Sequence, residues 1–103
     1  MADLWRTRDR FGREVVLTEA DWAHILGRRP RMIGQEAEVR LAVERADRVV
    51  HDADHADREN HYWRVSRRTF LKVVVAYDAA EIGVVITAHP SHKPKQREQQ
   101  RWP

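Results

Sequence analysis

The segment that most limits what this chain can become is Thr69 to Tyr77, Thr-Phe-Leu-Lys-Val-Val-Val-Ala-Tyr. It is too short for a membrane span and too rich in β-branched residues to favour a helix, so it predicts a central β-strand. Alternate strand residues share a face. Leu71, Val73 and Val75 then point one way, and Phe70, Lys72, Val74 and Ala76 the other. A lysine inside such a strand is unusual and needs solvent, a partner or a ligand.

Other segments arrange themselves around this strand. Leu4 to Arg8 and Arg13 to Leu17 read as short strands, the second preceded by Gly12. Thr18-Glu19-Ala20-Asp21 has the form of a capped helix start, followed by Trp22, Ile25 and Leu26 on one face and ended by Gly27 and Pro30. A second helix is expected over Gln35 to Arg45, with Ala37, Leu41 and Ala42 inward. Arg48 to His51 reads as a strand, Asp52 to Glu59 as a polar loop, His61 to Val65 as a strand, Ser66 to Arg68 as a turn and Ile82 to Ala88 as the last strand. The expected class is α+β, with two N-terminal helices packed on one face of a curved, mostly antiparallel sheet. Alternation puts Trp63, Val65, Leu71, Val73, Val75, Val84 and Ile86 toward the helices. It leaves Tyr62, Arg64, Phe70, Lys72 and Thr87 on an open face.

With 103 residues, one domain is expected, over residues 1–92, followed by a basic tail at 93–103. The formal net charge is +3, and the tail's Lys93, Lys95, Arg97 and Arg101 against Glu98 carry as much. Such a tail reads as a solvated end or as an arm for a polyanion. There is no cysteine, so thiolate zinc sites, disulfides and cysteine nucleophiles are excluded. The opening residues lack the apolar stretch of a signal peptide, and a cytoplasmic, membrane-free setting is expected.

No Walker loop, Gly-x-Gly-x-x-Gly, His-Glu-x-x-His or Gly-x-Ser-x-Gly occurs. The run His51-Asp52-Ala53-Asp54-His55 offers ligand types for a metal, but no helix fixes their spacing. Neither a metal nor another cofactor is therefore expected. His24 sits on the first helix about 150° from the middle of its apolar stripe, at ~100° per residue, and so off the core. An imidazole, several cations, a hydroxyl and some aromatics remain, a set suited to phosphodiester chemistry.

Leu17-Thr18 before Trp22-Ala23-His24-Ile25, then Tyr62-Trp63-Arg64, Leu71-Lys72-Val73-Val74-Val75 and Val84-Val85-Ile86-Thr87-Ala88, with a Lys-containing end and Trp102, resemble the phage-associated branch of the barnase–EndoU–colicin–RelE-like (BECR) nucleases. The resemblance covers most of the chain through short motifs. It implies helices followed by a curved sheet whose open face cuts RNA without metal, often as a toxin or in phage conflict, with an antitoxin or immunity protein as partner. It implies catalytic roles for His24, Arg64, Lys72 and Thr87. Ala88-His89 departs from the more usual alanine-tyrosine, which makes His89 a second imidazole candidate. Tyr62, Phe70, His89, Lys93, Lys95 and Arg97 are the expected substrate-binding residues. A histidine base would take the proton of the RNA 2′-OH as it attacks phosphorus, leaving a 2′,3′-cyclic phosphate. The alternative is an RNA- or protein-binding module on the same fold that does no chemistry.

Overall fold

The computed structural model describes residues 2–92 and the strand Gln99–Trp102; of that strand only the backbone pairing is described. In chain order the elements are β1 (Asp3–Arg8), β2 (Glu14–Thr18), α1 (Glu19–Arg28), a 3-10 turn (Pro30–Met32), α2 (Glu36–Glu44), β3 (Arg48–His51), β4 (Arg58–Arg64), β5 (Phe70–Tyr77), β6 (Gly83–Ser91) and β7 (Gln99–Trp102). The strands form one seven-stranded sheet in the order β1-β2-β6-β5-β4-β3-β7. All neighbours are antiparallel except β2 and β6, which run parallel.

Both helices form over the expected stretches, within a few residues at their ends. Thr18 Oγ1 accepts from the Asp21 amide at 3.1 Å and donates to its carboxylate at 2.8 Å, closing the first turn of α1. Trp22 and Ile25 are buried. They join Val39, Ala42 and Val43 of α2 and Leu71, Val73, Val75, Val85 and Ala88 of the sheet in one apolar cluster. The fold is thus α+β, with the apolar sides of both helices meeting one face of a mostly antiparallel sheet.

The inward stripe of α2 differs from expectation. Val39, Ala42 and Val43 are buried, Ala37 is exposed and Leu41 only half-buried. Apolar residues at 37, 39, 41, 42, 43 and 46 fit two overlapping stripes. The one that continues to buried Ala46 keeps the i, i+3, i+4, i+7 spacing and faces the sheet.

The last strand also departs from simple alternation. Val74 lies opposite Thr87 but Val75 lies opposite Val85, so Ile86 is an extra residue, a β-bulge. Past the bulge Val85 turns to the helices and Val84 to the far side, while Thr87 stays beside Val74. The expectation that Val84 and Ile86 face the helices is corrected by this one residue. Val65, expected inside, lies beyond β4 and is 52% exposed.

β6 runs on through Pro90 to Ser91. Its pairing with β2 covers only Gly83 and Val84, so among the described residues β6 has no strand partner on that edge beyond the bulge. Proline, which lacks an N–H, is tolerated there. β4 starts at Arg58, three residues earlier than expected, which shortens the polar loop after β3. Asp52 folds that loop by accepting from the amides of Asp54 and His55 at 3.0 Å each. At the other end of the chain, β7 pairs with β3.

The sheet face turned away from the helices is not bare. Tyr62 is fully buried, Val74 is 6% exposed and Lys72 is 9% exposed. The sequence-based picture of an open face carrying an exposed Tyr62 and Lys72 is corrected to one in which both are largely covered. Tyr62 packs edge-on against Phe70, their ring centres 6.0 Å apart, and the Lys72 ammonium lies 5.6 Å from the centre of the Tyr62 ring.

Candidate nucleic-acid interface

The register decides which candidate residues share a surface. Lys72 is the cross-strand partner of Tyr62 on one side and of His89 on the other. One pair along, Phe70 faces Arg64 and Ser91; in the other direction Val74 faces Thr87. Arg64, Tyr62, Phe70, Lys72, Thr87 and His89 therefore form a contiguous patch on the far face. His24 is exposed on α1, in the layer on the opposite side of the sheet. The four residues that the resemblance implies as catalytic thus divide into three on one face and His24 apart.

Local contacts set the chemistry of the patch. His89 Nδ1 is 2.9 Å from the carbonyl oxygen of Pro90. A carbonyl can only accept, so Nδ1 carries the hydrogen in this contact. The Arg64 guanidinium lies over the Phe70 ring at 4.8 Å and donates to the Arg67 carbonyl at 2.7 Å. Its own amide donates to Asp47 Oδ2 at 2.6 Å. Phe70 is half-buried, whereas Tyr62 has no surface left on which a base could stack.

Charge is sorted by the ends of the sheet. At the end where β4 and β6 finish and β3 and β5 begin, residues 28–34, 45–48, 64–70 and 89–92 hold eight arginines and one acid, Asp47. At the other end, residues 9–13, 52–57 and 78–82 hold six acids and two arginines. The sequence hides this polarity because the segments are scattered, and the topology brings like with like. Two concavities open at the basic end. One, of about 360 Å³, is lined by Arg64, Arg67, Arg68, Phe70 and His92. The other, of about 300 Å³, is lined by Arg28, Arg29, Pro30, Arg31, Met32 and Pro90.

The acidic end carries a buried polar network that the sequence reading missed. Arg13 grips Glu59 with two hydrogen bonds at 2.9 and 2.7 Å and Asp9 at 2.8 Å, with its guanidinium 3.8 Å from the centre of the Tyr77 ring. The Tyr77 hydroxyl donates to Asp9 Oδ2 at 2.7 Å and meets His61 Nε2 at 2.9 Å. Burial alone would push the Asp9 carboxyl up, but the Tyr77 hydroxyl, the Arg13 and Phe11 amides and the Arg13 charge hold it below the usual carboxylate range. Tyr77 is pushed up, first by burial and then by its bond to Asp9. Arg13 is raised, because its carboxylates and Tyr77 outweigh its burial. Every charge here has a protein partner, so the network reads as a clamp joining the β1–β2 hairpin to β4 and β5. The sequence alone sets Glu59 in a polar loop; the register places Glu59 opposite Val75 and His61 opposite Val73, on the helix-side face.

Among the described residues, no group of three or more His, Asp or Glu is arranged to hold a metal ion, and no helix is long and apolar enough to cross a membrane. Lys93, Lys95 and Arg97 lie outside the described residues. Comparison with protein-family models, with curated proteins and with solved structures finds no match.

Proposed function

We propose that this chain is a metal-independent endoribonuclease of the BECR type, working on the far sheet face beside the basic end. The observation that carries the reading is the placement of Lys72 between Tyr62 and His89, with Arg64 and Thr87 on the same face, next to an end that gathers eight arginines. Such an end attracts a phosphate backbone without regard to sequence. In the proposed reaction the RNA 2′-oxygen bonds to the adjacent phosphorus as its proton passes to His89 Nε2. The bond from phosphorus to the 5′-oxygen breaks, and the departing oxygen takes up a proton from water. Lys72 and Arg64 offset the charge that gathers on phosphorus, and Thr87 donates to a nonbridging oxygen. Phe70 offers a stacking surface for an unpaired base. A toxin or phage-conflict role in the cytoplasm, with an antitoxin or immunity protein covering the basic end, accords with this reading.

A second reading, RNA binding without cleavage, is favoured by one observation: Lys72 is only 9% exposed. Incubation with total RNA in EDTA, followed by end-group analysis, separates the two. Fragments ending in 2′,3′-cyclic phosphate and 5′-hydroxyl support the nuclease. Salt-sensitive binding with intact RNA supports the second reading.

A further inference from the structure

The two arginine concavities flank the carboxyl end of β6 from opposite sides. Pro90, which lines the concavity of Arg28, Arg29 and Arg31, lies across from Leu71 and so on the helix side; Ser91 lies across from Phe70, on the far side, where the concavity of Arg64, Arg67 and Arg68 opens. We infer that the two concavities form one bipartite phosphate track for unpaired, bendable RNA, which turns around the end of β6 with phosphates held on either side of His89. The inference deepens the reading proposed above by naming the substrate as single-stranded.

All six arginines, 28, 29, 31, 64, 67 and 68, are exposed. Among the described residues none of them has an ion-pair partner, whereas Arg6, Arg13 and Arg40 are each held by carboxylates. Neither concavity has an acidic residue in its lining. Guanidinium groups so arranged are completed by an anion from outside, and phosphate matches their fork. Both concavities lie near the lower end of the size of small-ligand sites, roughly 300–1,000 Å³. Each accommodates a piece of a strand and not a helix. A path from one side of the sheet to the other demands a sharp bend. A duplex resists bending, with a persistence length of ~50 nm for DNA, while a single strand turns freely and offers its bases to Phe70.

The test uses the full chain and a short single-stranded 2′-O-methyl RNA, which lacks the attacking hydroxyl, alone or annealed to its complement. Affinity is read by fluorescence anisotropy across a salt series. Arg28→Gln/Arg29→Gln/Arg31→Gln and Arg64→Gln/Arg67→Gln/Arg68→Gln should each flatten the slope of log affinity against log salt by up to about 2, at ~0.7 per phosphate contact. The single strand should bind more tightly than the duplex. Should the second triple variant melt early, Arg67→Gln/Arg68→Gln, confined to the turn, replaces it. If only the Arg64 group matters, or if duplex binds as well as single strand, the bipartite track is overturned while RNA binding stands. If the unaltered protein binds neither RNA, the track and the proposed function fall together.

Discussion

Replacing Arg13 by methionine keeps most of the side-chain volume and removes the charge at the centre of the clamp. Three bonds disappear, two to Glu59 and one to Asp9, together with the contact over the Tyr77 ring. The Asp9 side chain has no exposed surface and that of Glu59 is 11% exposed, so water cannot replace the lost partner. Breaking a buried pair from one side costs about 3–5 kcal/mol. Against a typical domain stability of ~5–15 kcal/mol, that is a large share. At ~4–8 °C per kcal/mol for a domain near this size, Tm should fall by at least roughly 12 °C. The pH dependence gives a second readout. The Asp9 carboxyl is depressed in the fold, so its stabilisation is complete above its unfolded value of about 3.9 and fades as pH falls through the lower folded value. The gap between the parent and Arg13→Met, measured by urea unfolding, should be widest near neutrality and shrink in acid. A loss under about 1 kcal/mol, or a gap unchanged in acid, would refute the clamp.

Gly83→Ala should destabilise by about 1–3 kcal/mol in thermal unfolding, because an added Cβ would sit 2.6 Å from Val75 Cγ1 and 2.8 Å from Tyr77 Cε1. Thr18→Ala should cost ~0.5–2 kcal/mol by removing the acceptor for the Asp21 amide, and should speed hydrogen exchange in the first turn of α1 before the rest of the helix.

Much of the fold was legible because local signals agreed. Thr18 and Asp21 marked the start of α1, and the Phe70–Tyr77 alternation correctly divided Leu71, Val73 and Val75 from Lys72. What escaped were features of pairing. Nothing in Val84-Val85-Ile86-Thr87 announces that Ile86 is the extra residue, since the bulge is set by the neighbouring strand. The separation of His24 from Lys72 already followed from the alternation that set the helices on the Leu71 face; only the resemblance had grouped the two. The burial of Tyr62 and Lys72 was hidden, because alternation tells which residues share a face and not what covers it. The basic end was illegible for another reason: Arg28, Arg29, Arg64, Arg67 and Arg68 lie in distant segments that only the sheet order brings to one end.

The central claim, an RNA-cleaving site on the far face served by His89, is tested most directly by comparing two histidine variants on one RNA in EDTA. His89→Gln should lower the cleavage rate by roughly 10²–10⁴-fold, the share of one general acid or base. His24→Gln, altering an exposed residue in the other layer, should leave the rate near that of the parent. The reverse pattern, with His24→Gln inactive and His89→Gln unimpaired, would contradict the account and move the chemistry to the helix side of the sheet.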